Sequence, residues 1–524
     1  MMIRQELKSL LTKLFPRDDI VINQVPKDKE GDYSTNLALI RAARDKSRPL
    51  DVARDIAKKI EHPMIQAVTV HPPGFINFEI SREYLVKLLF TDDFKFDIGS
   101  GMKILVEFVS ANPTGPLNIV SARAAAVGNA LVNMLNAAGF AAASEYYIND
   151  SGRQTELLAE SVRQRLIELD GGTAEIPREG YHGEYLVGLA REIKSKDISD
   201  LGEIREYAVQ YFMNDHRRVL DDFGVTFTNW IRESSIRKKG YVENVLRMLE
   251  EKDLVYSRDG ARWIRTAQFG DKDDRVLVTR DERYTYLLPD IAYHLDKIKR
   301  DYRVLVDIWG PDHQAQIKSL QSSLVALGYK ADILKVLIVQ QVQLRKNGKV
   351  LKMSKRAGAI ETLDDLLSQV PRDVVKFFML MRSNSQHLDF DLDLAVKQTE
   401  ENPVYYVQYA HARIKSIIRK APQHDDVPAD VTGRYITEPE EIALVKTIVK
   451  YPEVLEDAVR TYEPYMITYY LIDLARAFHY FYGTCRVIGD DQNVTRARIA
   501  LIQKTADILQ RGMNVLGVSC PDRM

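Results

Sequence analysis

Ile104-Leu105-Val106-Glu107-Phe108-Val109 is a nearly continuous apolar run, the pattern of a strand buried on both faces of a parallel sheet. Ser110-Ala111-Asn112-Pro113-Thr114-Gly115-Pro116 then forces a turn. Beyond it Val120, Ala124, Val127, Leu131, Met134, Leu135 and Ala138 step by three and four, predicting a helix that Gly139 ends. A second unit repeats the pattern, with Val304-Leu305-Val306-Asp307-Ile308-Trp309 as strand, Gly310-Pro311-Asp312-His313 as turn and a helix closing at Leu327-Gly328. Val336-Leu337-Ile338-Val339 is a third strand candidate. This alternation predicts a doubly wound, Rossmann-like parallel sheet, whose ligands lie beyond the carboxyl ends of the strands. The loops after Val109 and Trp309 are therefore the first place to look for chemistry.

The flanks read differently. Val68-Thr69-Val70 and Phe75-Ile76-Asn77-Phe78-Glu79-Ile80 are strand-like runs among helices, which predicts a small α+β domain over residues 1–98. Asp97-Ile98-Gly99-Ser100-Gly101 has linker chemistry, and the sheet domain is expected over 99–392. Within it, residues from about 171 to 237 are charged and helical in pattern, suiting an insertion in which no chemistry is evident. From about Asp393 the pattern is all helix, with Val407, Ala410, Ile414 and Ile417 on one segment and Leu471, Leu474, Ala475, Phe478 and Phe481 on another, predicting a helical bundle over 393–524.

At 524 residues, about three compact units are expected. The 45% hydrophobic and 28% charged content suits a globular chain, and no apolar run approaches the ~20 residues of a membrane span, which excludes membrane functions. The first residues lack the apolar core of a secretory signal, making the cytoplasm the expected compartment. Cys485 and Cys520 have neither zinc-site nor disulfide spacing, and no residue is assigned to a protein-bound metal. A net charge of -1 leaves nucleic-acid binding to local basic faces. One such face has His411, Arg413, Lys415, Arg419 and Lys420 beside Tyr405, Tyr406 and Tyr409. Cations interleaved with aromatics suit phosphates and bases, although each residue alone also fits a solvated helix face or a core tyrosine.

Lys349-Val350-Leu351-Lys352-Met353-Ser354-Lys355-Arg356-Ala357-Gly358 concentrates cations where a polyphosphate could be gripped and where charge on a departing pyrophosphate could be met. Lys352-Met353-Ser354-Lys355 arises by chance in roughly one chain in three hundred of this length, so alone it also fits a solvated basic loop.

In company the motif is more specific. The chain resembles the class I aminoacyl-tRNA synthetases, and among them the arginyl-tRNA synthetases, through a series in family order. The series begins with Gly31-Asp32-Tyr33-Ser34-Thr35-Asn36 and Pro73-Gly74-Phe75-Ile76-Asn77-Phe78, and continues through Val106 to Leu117 and Glu145-Tyr146-Tyr147-Ile148-Asn149-Asp150. Thr285-Tyr286, Asp290-Ile291-Ala292-Tyr293-His294, Trp309-Gly310-Pro311-Asp312-His313 and the lysine motif follow, then Asn402 to Arg413 and Asp473-Leu474-Ala475-Arg476. The resemblance implies an N-terminal domain that contacts the tRNA corner and a C-terminal anticodon-binding bundle. It also implies ATP-dependent activation of L-arginine with Mg2+, transfer to tRNA(Arg), and a monomer. By the same resemblance Lys352, Ser354 and Lys355 are catalytic, with Lys352 and Lys355 joining Gly115, Asn118, Ser121 and His313 at ATP. Ser110 and Asn112 line the arginine and adenylate site, Tyr286 and Asp290 receive the guanidinium, and Tyr405, Tyr409, His411 and Arg413 face tRNA. A carboxylate can pair a guanidinium bidentately and a tyrosine adds a ring face and a hydroxyl; outside the resemblance, Asp290 also fits a plain helix-start residue.

One departure stands out. Where class I enzymes carry His-x-Gly-His, with imidazoles meeting the phosphates, this chain has Asn118-Ile119-Val120-Ser121. Neutral donors and the helix N-terminus remain, but Val120 replaces the glycine of close approach. Two readings fit: a working ligase that leans on Lys352 and Lys355, favoured by the joint presence of the other motifs, or a catalytically weak paralogue that binds tRNA.

Overall fold

The computed structural model describes residues 2–26, 29–91, 93–95, 97–351, 362–421 and 433–524. Lys352, Ser354 and Lys355 lie outside the described residues.

Near the N-terminus, strands β1 (Ile22–Gln24), β2 (Tyr33–Thr35), β3 (Ile65–His71) and β4 (Phe75–Ile80) form an antiparallel sheet in the order β1-β2-β4-β3. Ile76, Phe78 and Ile80 are buried on one face of β4; on the other, Phe75 is exposed and Glu79 half-buried while Asn77 is buried with its amide donating to the Glu30 carbonyl at 2.8 Å.

The central sheet begins with β5 (Lys103–Glu107), β6 (Ala141–Ile148) and β7 (Asn229–Arg232). A small antiparallel sheet of β8 (Val255–Arg258), β9 (Ala261–Ile264) and β10 (Arg275–Val278) intervenes before β11 (Val304–Trp309) and β12 (Leu334–Ile338). The five central strands are all parallel, in the order β12-β11-β5-β6-β7. The chain winds outward from β5 on one side and from β11 on the other, so its direction reverses between these two strands. That gap is the switch point at which open parallel sheets bind ligands. Ile104, Leu105 and Val106 are all buried because helices cover both faces of the sheet.

The helix after β5, Ile119–Ala137, buries Ala122, Ala125, Ala126, Ala130, Leu131, Met134 and Leu135, and Gly139 follows at φ 86°, the left-handed conformation that ends a helix. Gly128, inside it, has a packing reason: a Cβ there would stand 2.1 Å from the ring of Phe108. Strands β13 (Val342–Lys346), β14 (Lys349–Val350) and β15 (Leu388–Asp391) form a separate sheet, in which β14 leads into Leu351.

Between β6 and β7, helices Arg153–Leu169, Tyr185–Ser195 and Leu201–Asp222 share a core of Leu158, Val162, Leu186, Leu189, Ile204 and Phe212. This differs from a helical stretch over 171–237. The packing unit already includes Arg153–Leu169, and Asn229–Arg232 is drawn into the parallel sheet by pairing with β6. The C-terminal part is a bundle of helices Pro403–Lys420, Pro439–Val449, Tyr451–Thr461, Tyr465–Thr484 and Gln492–Leu516. The N-terminal sheet docks on it through polar contacts: Tyr33 Oη donates to Glu453 at 3.0 Å, and Lys446 pairs with Asp32 at 2.9 Å. Among the described residues no helix is long and apolar enough to cross a membrane.

Candidate active site

Register places Asp307 of β11 beside Glu107 of β5, and Glu107 beside Glu145 of β6, so three carboxylates form a row across the buried sheet at its switch point. A buried carboxylate needs a partner. The helix Leu287–Lys299 crosses the row and supplies one to each. Lys297, fully buried, reaches Glu107 Oε2 at 2.5 Å and Asp307 Oδ1 at 2.9 Å. His294 Nε2 meets Asp307 Oδ2 at 2.8 Å while its Nδ1 meets the Asp290 carbonyl at 2.7 Å, so the ring faces acceptors at both ends. Tyr293 donates to Glu145 at 2.6 Å, and Arg300, just past the helix, forks onto the same carboxylate at 2.5 and 2.8 Å. Burial opposes the charge on Lys297, but Asp307 and Glu107 outweigh it and hold its pKa above the ordinary lysine value. Burial likewise pushes the Asp307 carboxyl up, and Lys297 and His294 bring it well below the usual range.

Tyr286 is the N-cap of the same helix, and Asp290 lies in its first turn. Asp290 donates its backbone N–H to the Tyr286 carbonyl at 3.2 Å, which places the two side chains on successive turns. The Tyr286 ring is 85% exposed. Asp290 is partly buried, and no side chain among the described residues donates to its carboxylate. Burial raises its pKa to about 7; His294 opposes the rise, and the like charges of Glu107, Asp307 and Glu233 add to it. The result is a concentration of negative charge with one carboxyl left unmatched.

At the end of β5 the backbone turns sharply, with Val109 at φ 67° and Ser110 at φ 40°. Left-handed non-glycine residues cost on the order of 1–3 kcal/mol each and persist only where the surroundings hold them. The hold is visible: Ser110 Oγ donates to Glu107 Oε1 at 2.9 Å and accepts from the Tyr147 backbone N–H at 3.1 Å. Glu107 thus links the buried row to Ser110. Asn112 accepts from Asn149 Nδ2 at 2.9 Å through its oxygen, which leaves its amide hydrogens for another partner.

The helical insertion, with no chemistry evident in its sequence, grips this loop. His216 Nε2 meets the Gly115 carbonyl at 2.8 Å, Tyr185 Oη donates to the Thr114 carbonyl at 3.1 Å, and Tyr146, from β6, links His216 to the Ala111 carbonyl at 3.0 Å each. A side chain at Gly115 would press on the Tyr185 hydroxyl at 3.1 Å.

Asn118 is the N-cap of the following helix, its oxygen accepting from Ser121 N–H at 3.0 Å and Ser121 Oγ at 3.1 Å. In this arrangement the Ser121 hydroxyl proton is committed to Asn118, and the Asn118 amide is the exposed donor. His313 is exposed in the short turn after β11, its ring centre 6.1 Å from that of Trp309.

On the bundle, Tyr405 and Tyr409 stack at 6.1 Å, Tyr409 stacks on His479 at 6.0 Å, and Arg413 lies over Tyr482 at 5.0 Å. His411 does not join them. It is buried and bonded to the Pro521 carbonyl at 2.9 Å, which removes it from any RNA-facing surface. The imidazole that stacks with Tyr409 is that of His479, on the helix Tyr465–Thr484.

Residues 85–388 match the family model of the tRNA synthetases class I (R), catalytic domain, so this switch-point sheet is that of a class I aminoacyl-tRNA synthetase. Residues 1–80 match the arginyl tRNA synthetase N terminal domain, and residues 407–524 match the DALR anticodon binding domain. The arginine–tRNA ligase of Bacillus subtilis is 40% identical over 546 residues, covering 100% of this chain and 98% of the relative. That of Geobacillus kaustophilus is 41% identical over 528 residues, covering 96% and 94%. The fold agrees with Thermus thermophilus arginyl-tRNA synthetase at a TM-score of 0.82 and 20% identity, with 100% of both chains covered. The chain belongs to the arginyl-tRNA synthetase family.

Proposed function

We propose that this enzyme is an arginine–tRNA ligase whose amino-acid pocket is the unmatched Asp290 beside the carboxylate row. The observation that carries the reading is charge. Burial, with the like charges of Glu107, Asp307 and Glu233 adding to it, raises Asp290 to about 7, and a guanidinium is the partner that would offset both in bidentate geometry. Tyr286 supplies a ring face on the adjoining turn. Ser110 and Asn112 then lie toward the α-amino and α-carboxylate end, and Asn118, Ser121, Gly115 and His313 toward ATP.

In the first step the arginine carboxylate oxygen attacks the α-phosphorus of ATP, the bond to the bridging oxygen breaks, and pyrophosphate leaves with its electron pair. In the second, a ribose hydroxyl at the 3′ end of tRNA(Arg) attacks the acyl carbon of arginyl-adenylate, loses its proton, and AMP departs. Neither step needs a side-chain nucleophile, so positioning and electrostatics carry the reaction. Lys352, Ser354 and Lys355 act on the pyrophosphate. Mg2+ would be held by the ATP phosphates and would supply positive charge to the departing pyrophosphate. The bundle face of Tyr405, Tyr409 and Arg413, joined by His479, receives the tRNA. The enzyme works as a monomer in the cytoplasm.

Exchange of pyrophosphate into ATP, measured with and without arginine and with and without tRNA, tests this. Exchange that requires arginine is expected. A folded sample that binds tRNA without exchanging under any condition would instead be a binding paralogue.

A further inference from the structure

Arg123 is a charged side chain with no solvent exposure, and among the described residues no carboxylate pairs with it directly. Its guanidinium instead donates to three backbone carbonyls: Gln340 at 2.8 Å, Gln386 at 2.7 Å and Ser383 at 2.9 Å. Burial lowers its pKa to about 10, and Glu463 partly restores it. Desolvating a cation to hold main chain is costly, so what it holds matters. Gln340 lies just before β13 and Gln386 just before β15, two strands that pair in parallel. The β13–β14 hairpin built on them leads to Leu351. At Thr362, beyond residues 352–361, the chain is stitched to the same helix start: Thr362 bridges Asn118, and Leu363 N–H donates to the Leu117 carbonyl at 2.8 Å. One and a half turns of a single helix therefore anchor both the outgoing hairpin, through the Arg123 side chain, and the returning chain, through the Asn118 backbone.

The loop Ser383–Gln386 is gripped from its other side by the bundle. Glu463 accepts from Ser383 Oγ at 2.7 Å and from Asn384 N–H at 3.1 Å, and Asn384 Nδ2 donates to the Tyr462 carbonyl at 2.8 Å.

We propose that Arg123 is a positioning residue for nucleotide binding, fixing the base of the β13–β14 hairpin in register with the helix start at Asn118, through a loop that Glu463 holds from the bundle. The proposal rests on Asn118 and Ser121 forming the nucleotide end of the site. Arg123 touches no reacting atom. It acts through the three carbonyls, and a lysine keeps the charge but lacks the planar fork that spans them.

The test uses the full chain carrying Arg123→Lys or Glu463→Ala, with three readouts: binding of a fluorescent ATP analogue, arginine-dependent exchange at varied ATP and arginine, and tRNA affinity. Arg123→Lys is expected to weaken analogue binding and raise the KM for ATP by about fivefold or more, with the KM for arginine and tRNA affinity within about twofold. Glu463→Ala is expected to weaken ATP alone by about two- to threefold. A folded Arg123→Lys protein with unchanged nucleotide affinity, or with equal losses for ATP and arginine, would overturn the proposal. Should Arg123→Lys fail to fold, Glu463→Ala decides: selective loss of ATP affinity supports the clamp, and unchanged affinity removes it. A wild-type chain that binds the analogue without exchanging would refute the ligase reading and leave the affinity comparison to judge Arg123. A wild-type chain that binds no nucleotide would sink both.

Discussion

The two ends of the site are built from different materials. The proposed amino-acid end is a row of buried carboxylates on three strands, answered residue by residue by one helix carrying Tyr293, His294 and Lys297, with Arg300 just past its end. Among the described residues the proposed nucleotide end shows no such row of charge: an asparagine cap, a serine, main-chain groups, and a guanidinium spent on carbonyls, the proposed phosphate lysines Lys352 and Lys355 lying outside them. The difference suits the ligands proposed for them. A guanidinium is read by placing negative charge where water is scarce, whereas a phosphate is read by amides and a helix N-terminus whose geometry must be right. Charge identity should therefore dominate the first end and registration the second.

The largest effect is expected at the centre of the row. Lys297→Met leaves Glu107 and Asp307 facing each other without the lysine between them, His294 touching Asp307 alone, and breaking a buried ion pair in this way costs about 3–5 kcal/mol. Thermal unfolding should move down accordingly, with exchange activity lost. A variant with wild-type stability would show that the row is solvated and not a buried network.

Asp290→Asn keeps the shape and removes the unmatched charge. Truncating one side of a charge pair costs about 2–5 kcal/mol, so kcat/KM for arginine should fall by about thirtyfold or more, with the KM for ATP unchanged. Equal losses for both substrates would erase the distinction between the two ends.

Titration sharpens the same point. The Asp290 carboxyl, raised by burial and by Glu107, Asp307 and Glu233 to about 7, must be ionised to pair with arginine. The KM for arginine should thus fall about fivefold from about pH 6 to pH 7, about tenfold by pH 8, and flatten above that. Without arginine the sign reverses for stability. Between about pH 4 and the folded value near 7 the folded chain holds a proton that the unfolded chain has lost, so the Asp290 contribution to stability falls as pH rises through that window.

The smallest effect belongs to the nucleotide end. Asn118→Ala removes a helix cap, worth about 1 kcal/mol, and should lower the melting temperature by a few degrees while raising the KM for ATP and not that for arginine.

Much of this was legible before any coordinates. The continuous apolar run around Ile104–Val106, the turn after Val109 and the glycine at 139 located the β5 unit and its loop, because local pattern and buried parallel structure agree there. The partners of Glu107 were not legible, since Lys297 lies 190 residues away, and the carbonyls of Arg123 are more than 200 residues off. A signal did exist. Glu107, Glu145 and Asp307 each sit within or at the end of a strand that buries its neighbours, and a carboxylate in that setting announces a cation elsewhere. His411 misled because a helix presenting tyrosines and arginines also turns residues inward, and only the C-terminal tail, through Pro521, shows which way this one faces. The insertion misled because His216 and Tyr185 act on main-chain oxygens, for which sequence carries no pattern.

The central claim is that the amino-acid end reads positive charge, and citrulline, which replaces the guanidinium by a neutral urea of nearly the same shape, tests it most directly. In pyrophosphate exchange with saturating ATP and tRNA, arginine should support turnover and citrulline should be disfavoured by on the order of a thousandfold or more in kcat/KM, as when a buried polar group is left unpaired. Comparable exchange with the two amino acids would contradict the account, because a pocket organised around Asp290 and the carboxylate row could not treat them alike.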